Sequence, residues 1–176
     1  GFCLFNNIAI GALHARSHGL RRIAVVDFDV HHGNGTQSRF EADADLFFAS
    51  THQWPLYPGT GLPQERGVAD NIVNAPLPPR AGSDEFRVTM AERVLPALDA
   101  FKPEFVLISA GFDAHYADPL AELRLDEADF AWATSEVARI AASHAKGRVV
   151  STLEGGYDLN ALARSAAAHV QALMAA

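Results

Sequence analysis

The chain has 176 residues, 49% of them hydrophobic, with a formal charge of −7. That length supports one domain with a full core, and the acidity argues against nonspecific binding to DNA or to an anionic membrane surface while leaving a basic peptide as a suitable partner. No apolar run reaches the ~18–20 residues of a membrane span, no signal peptide is recognisable, and the single cysteine, Cys3, has no partner for an intrachain disulfide, which points to a reducing compartment such as the cytoplasm.

The opening Gly1-Phe2-Cys3-Leu4-Phe5-Asn6-Asn7 starts without Met, already in dense, core-like sequence, and reads as part of a longer protein. Cys3 reads as a small buried residue rather than a nucleophile. Phe5 to His18 predicts a helix with Ile8, Ala9, Ala12 and Leu13 on its apolar face and Gly19 just past its end. Arg22 to Asp27 predicts a buried parallel strand, since Ile23-Ala24-Val25-Val26 is continuous and apolar. A short helix is expected over Thr36–Glu41 and a second strand over Leu46–Ser50. Residues 52–82 are rich in Pro and Gly and read as a long functional loop. Asp84 to Phe101 predicts one amphipathic helix capped by Ser83 or Asp84. A third strand follows at Phe105–Ala110, a helix at Leu125–Ala145, a fourth strand at Arg148–Leu153 and a closing helix at Asn160–Met174. With no repeat and no linker, the alternation implies a single α/β domain, a mainly parallel sheet flanked by helices.

In such sheets ligands bind beyond the carboxyl ends of the strands. Asp29 and His31 follow the first strand; Ser50, Thr51 and His52 the second; Gly111-Phe112-Asp113-Ala114-His115 the third; Glu154-Gly155-Gly156-Tyr157 the fourth. Polar residues thus gather at one rim. Asp29 and His31 are two apart, so on extended backbone they face one side, and oxygen plus imidazole nitrogen there is metal-ligand chemistry. Asp113, the first carboxylate beyond a buried strand, is the best third ligand, with capping as its bland role. His115 and Asp118 lie further into the loop, where a surface position is at least as good a reading. Two carboxylates and one His cancel a divalent ion's charge and suit iron or cobalt as well as zinc. An amide hydrolysis needs an oxyanion donor, which Tyr157 after two glycines could supply; the alternative is a Tyr packed on the closing helix. A general base is required as well, but His32 should point away and His52 sits on another loop.

Five ordered segments, Gly1–Ala9, Asp27–Gly35, Tyr57–Gly61, Ser109–Asp113 and Leu153–Tyr157, resemble the zinc-dependent histone deacetylase family and its bacterial relatives, the acetylpolyamine amidohydrolases and acetoin-utilisation proteins, in wording nearer the class II-like branch. The resemblance implies a three-layer arginase/deacetylase-like fold lacking its first part, with residues 1–176 as the C-terminal portion of one catalytic domain. It implies zinc on Asp29, His31 and Asp113, with Tyr157 stabilising the oxyanion. It further implies a structural potassium on Asp27, Asp29, His31, Ser50 and Thr51, and a carbonyl of Phe40 at a second monovalent site. Gly1, Phe2, Tyr57 and Leu120 would line a tunnel for an acetylated lysine of a peptide or protein, or for an acetylated polyamine or small amide, with His32, Asn34, Gly155 and Gly156 standing behind the ligands. The family's His-His acid/base pair precedes its Gly-Phe-Cys segment and is absent here, so the piece alone is expected to be inactive or nearly so. Asn34 stands where class I members often have Asp. Two other readings compete: a non-catalytic binding module that keeps the fold, and a di-metal ureohydrolase.

Overall fold

The computed structural model describes residues 4–176; what the sequence suggests for Gly1, Phe2 and Cys3 lies outside the described residues. Twelve successive segments alternate strand and helix: α1 (Asn7–Ser17), β1 (Ile23–Asp27), α2 (Asn34–Phe40), β2 (Leu46–Gln53), β3 (Ile72–Leu77), α3 (Ser83–Thr89), a π-helical turn (Met90–Val94), α4 (Leu95–Phe101), β4 (Phe105–Ala110), α5 (Glu127–His144), β5 (Val149–Leu153) and α6 (Leu159–Met174). The five strands form one parallel sheet in the order β3-β2-β1-β4-β5. The chain therefore builds outward from β1 through β2 to β3, then crosses to the other side of β1 for β4 and β5. The crevice where the winding direction reverses lies between the ends of β1 and β4. Asp27, the last residue of β1, is opposite Ser50 on one side and Ser109 on the other.

The two-residue period of β1 feeds two cores. Ile23 and Val25 join Ile8, Ala12, Phe40 and Phe48 on the face covered by α1 and α2. Ala24 and Val26 join Phe47, Met90, Leu98, Phe130 and Val137 on the face covered by α3 to α5. Helix ends follow local chemistry. Asn6, Asp126 and Asp158 accept backbone N–H bonds as the N-caps of α1, α5 and α6, and Gly19, at φ +87°, leaves α1.

Three expectations change. The Pro-rich stretch 52–82 contains a fifth strand, β3, whose Pro76 is tolerated because β3 is an edge. Strand β2 runs on to Gln53, so Ser50, Thr51 and His52 are strand residues in the β2–β3 ladder and not a loop. The single helix expected over Asp84–Phe101 is broken by the π turn just before Pro96, which has no N–H to donate. Its cap position falls on Gly82, and Ser83 turns its hydroxyl to Asp129.

Asp129 is fully buried on α5 and accepts from Ser83 Oγ (2.7 Å), Arg87 Nε (2.8 Å) and the Asp126 N–H (3.1 Å), pinning α3 to α5. Asp129→Ala removes these three bonds, while Arg87 and Ser83 keep access to water, and is expected to lower stability by about 2 kcal/mol in urea unfolding; a loss near zero contradicts the role. His169 on α6 is buried against the rings of Phe28 and Phe112. Thr134 Oγ gives its proton to the Phe130 carbonyl, so His169 Nδ1–H donates to Thr134 and Nε2 accepts from Ser151 Oγ (2.8 Å). Burial holds this imidazole below its usual pKa of 6.5. The unfolded chain then binds more protons, and the His169 contribution, complete above pH 6.5, is lost as the pH falls through the folded value. Accordingly the stability gap between wild type and His169→Gln should narrow from pH 7.5 to pH 5; a constant gap contradicts it.

Candidate metal centre

Past Asp27 the backbone leaves the sheet in two linked turns made by its own carboxylates. Asp27 Oδ1 accepts the Asp29 N–H (3.0 Å) and Asp29 Oδ1 accepts the His31 N–H (2.8 Å). This curl, rather than extended backbone, brings residues 29 and 31 to one point. From the loop after β4, Asp113 reaches across the crevice and accepts the Val30 N–H on Oδ1 (2.8 Å). From the loop after β5, the Gly155 N–H donates to Asp29 Oδ2 (2.8 Å). A Cβ at Gly155 would lie 2.0 Å from Asp113 Oδ2, so only glycine allows that approach. Ligand-capable atoms of Asp29, His31 and Asp113 lie within 4.8 Å of one another. His31 Nδ1 stands 3.1 Å from Asp29 Oδ1 and 3.2 Å from Asp113 Oδ2.

The electrostatics ask for positive charge. Burial, with Asp29 beside it, pushes Asp113 up to about 6 despite the bonds from His31 and Val30. Burial and the same neighbour raise Asp27 well above the carboxylate range. Hydrogen bonds to Asp113 and then Asp29 raise His31 to about 9. His31 Nδ1 thus lies between the two carboxylates, where a bound cation would compete with a proton for it. Glu154, which the sequence reading placed at the rim without a role, is also raised by burial and by Asp29; it accepts from Ser109 Oγ (3.2 Å) and lines, with Asp27, Asp29, His31 and Asn34, a cavity of about 250 Å³.

The remaining predicted residues fall into separate groups. His32 is buried and turned away from the cluster: Nε2–H donates to Gln37 Oε1 (2.9 Å) and Nδ1 accepts from Thr60 (2.8 Å). Gln37 passes to Glu65 (2.6 Å), which accepts the Leu62 N–H (2.9 Å). His52, fully buried on β2 rather than in a loop, donates to the Gly61 carbonyl (3.0 Å) and accepts from Ser50 Oγ (3.0 Å); burial, then His32, lowers it to about 4. These bonds fasten the segment carrying Tyr57 to the turn carrying His31. Thr51 Oγ1 is buried with no hydrogen-bond partner. The Phe40 carbonyl accepts from Asn71 Nδ2 (2.9 Å), as do those of Asp43 and Leu46. Tyr57 and Leu120 are exposed, Asn34 lies at the surface, and Tyr157 is 38% exposed. His115 and Asp118 are both buried, against the surface reading: His115 Nδ1 accepts the Ala117 N–H, and Asp118 accepts those of Leu120 and Tyr157. A carboxylate before a Pro gave no sign that its partner sits 39 residues on.

Two carboxylates and an imidazole nitrogen converging on one point, with charge to neutralise a divalent ion, fit zinc and its harder-ligand substitutes. The histone deacetylase domain family matches residues 1–173, and the chain belongs to that family. It is 46% identical over 178 residues to the chloroplastic histone deacetylase 14 of Arabidopsis thaliana, covering 99% of this chain and 42% of that protein. It is 41% identical over 164 residues to the histone deacetylase-like amidohydrolase of Pseudomonas aeruginosa, covering 90% of this chain and 43% of that one. The crystal structure of the HDA15 HD domain superposes with a TM-score of 0.93 at 37% identity, covering 99% of this chain and 50% of that one. The chain thus spans about half the length, or slightly less, of these relatives, and its sheet and helices have the arginase/deacetylase fold.

Asp113→Asn keeps the side chain's shape and the acceptor for Val30 but removes the anionic oxygen beside His31. Zinc affinity, read by competition with a chromophoric chelator, is expected to fall at least ~100-fold, since even groups behind metal ligands contribute 10–100-fold. Unchanged affinity removes the assignment.

Proposed function

We propose that residues 1–176 form the C-terminal portion of one deacetylase catalytic domain, and that this domain removes acetyl or other acyl groups from lysine side chains of a peptide or protein. Related small N-acyl amines are the second substrate class. The observation that carries the reading is the Asp29–His31–Asp113 cluster with the Gly155-Gly156-Tyr157 loop tied to it through the Gly155 N–H. In this reading Asp29, His31 and Asp113 hold zinc, which when bound polarises a carbonyl and acidifies water toward a pKa of ~7. The Tyr157 phenol donates a hydrogen bond to the carbonyl oxygen as charge develops on it. Tyr57 and Leu120, both exposed, border the entry in this reading. Leu120 offers no charge to select a polyamine, which favours an acyl-lysine. Potassium beside the zinc is supported by the buried Asp27 carboxylate and the unpartnered Thr51 hydroxyl. The lone cysteine and the absence, among the described residues, of a helix long and apolar enough to cross a membrane accord with work in a reducing compartment such as the cytoplasm.

A general base must accept a proton near the cluster. Among the described residues, no imidazole besides that of His31 hydrogen-bonds there, because His32 and His52 are committed to the Tyr57 segment. Residues 1–176 alone are therefore expected to turn over an acetyl-lysine peptide slowly at best. A di-metal ureohydrolase needs further bridging carboxylates, and one metal-capable cluster is found among the described residues.

The test is binding of a linear alkyl hydroxamate to the zinc-loaded chain, with acetyl-lysine peptide hydrolysis alongside. Tyr157→Phe should weaken the hydroxamate about 10-fold, the worth of one hydrogen bond, and slow any hydrolysis ~100–1,000-fold. A phenylalanine variant that binds and reacts like wild type contradicts the role of the phenol.

A further inference from the structure

Asp118 is a buried carboxylate, 7% exposed, that forms no ion pair among the described residues. Both of its oxygens are occupied by backbone N–H groups. Oδ1 accepts from Leu120 (3.0 Å), two residues on, which is a local turn. Oδ2 accepts from Tyr157 (2.7 Å), which is 39 residues away and on a different loop. A buried carboxylate with no cation depends on such bonds, so losing either is costly.

The loop after β4 is fixed at both ends, at the far one by the Glu122 N–H on Gln53 Oε1 (2.7 Å) and the Arg124 N–H on the Ala81 carbonyl (2.9 Å), and Asp118 lies in the stretch between. The loop after β4 is held at its start by Asp113 on Val30, and further on by the Leu125 N–H on the Ala114 carbonyl and the Tyr116 N–H on the Leu125 carbonyl. The Asp118 N–H then donates to the His115 carbonyl (2.9 Å). The loop after β5 is anchored by the Glu154 N–H on the Ala110 carbonyl, by the Phe112 N–H on the Gly155 carbonyl, and by Gly155 on Asp29. Gly156 follows at φ +141°, a conformation open to glycine and rarely to other residues. The Tyr157 N–H bond to Asp118 ties the chain at that point to the loop after β4, one residue before Asp158 caps α6.

We propose that Asp118 is the positioning residue of this site: one carboxylate sets Tyr157 against the metal cluster with one oxygen and Leu120 at the entry with the other, so that donor and entry hold a common register. The proposal rests on the reading of Tyr157 and Leu120 given under Proposed function. Asp118 contributes no ligand, since its oxygens lie outside the Asp29–His31–Asp113 group.

The test uses the zinc-loaded chain, an alkyl hydroxamate and backbone amide exchange followed by NMR. In Asp118→Ala the Tyr157 amide should exchange at least ~10-fold faster than in wild type, while the Gly155 amide and the zinc affinity stay within ~3-fold. Hydroxamate affinity should fall about 10-fold in Asp118→Ala, yet only about 2-fold when the same change is made in a Tyr157→Phe background, because there is then no phenol left to misplace and only the Leu120 arm remains. Asp118→Asn, which keeps one acceptor oxygen, should recover part of the affinity; it also serves if the alanine variant does not fold. An unaltered Tyr157 amide, an equal affinity loss with and without the phenol, or a fall in zinc affinity matching the fall in hydroxamate affinity each overturns the proposal. If Tyr157→Phe alone leaves hydroxamate binding unchanged, the catalytic reading of the phenol fails, and the amide exchange still decides whether Asp118 sets the loop.

Discussion

A buried carboxylate, a partly buried one and an imidazole share one point at the split between β1 and β4, and carboxylates held that close call for positive charge beside them. The fold supplies the confinement. Asp29 is held by the N–H groups of His31 and Gly155, and Asp113 by that of Val30, so neither carboxylate can swing out to water without breaking a backbone bond. His31, raised by its hydrogen bonds to Asp113 and Asp29, meets that demand within the chain, and three converging donor groups are what a divalent ion would need.

That constraint ties the site to the sheet's winding order. Because β1 sits at the centre and the chain switches sides to make β4, the loops leaving these neighbours open away from each other and leave a crevice between them. The loop after β5 is a strand further out, yet it reaches the crevice by lying over Asp29 and Asp113, where Gly155 is tolerated because it lacks a side chain. The segment that carries Tyr57 is brought in from the other direction, through the chain His32–Gln37–Glu65 and the His52–Gly61 bond. Entry, donor loop and ligands thus depend on polar bonds between loops, while the two apolar cores hold only the strands that the loops leave from.

Much of this was legible in the residues. Continuous apolar runs at Ile23–Val26 and Phe105–Ala110 announce buried parallel strands, and carboxylates just past their ends announce a site, because both are local patterns. Strand β3 was hidden because Asn74 and Pro76 interrupt its apolar pattern; only its edge position and the pairing with β2 make it a strand. Ser50 to His52 resembled a loop for the same reason: polar side chains are admitted inside β2 when a network such as Ser50–His52–Gly61 satisfies them. Asp118 and Glu154 stood at the rim in the sequence, but their partners, Tyr157 and Ser109, were out of reach because they are 39 and 45 residues away. An extended-strand argument paired Asp29 with His31, whereas Asp27 and Asp29 curl the backbone in two turns to bring them together, so the local geometry differs from that expectation.

The most direct measurement is anomalous diffraction at the zinc edge from crystals soaked in the metal. The expected result is one strong peak, 2.0–2.2 Å from His31 Nδ1 and from an oxygen of each of Asp29 and Asp113, as zinc–nitrogen and zinc–oxygen bonds of roughly that length require. A strong peak elsewhere in the molecule with none at that point would contradict the account.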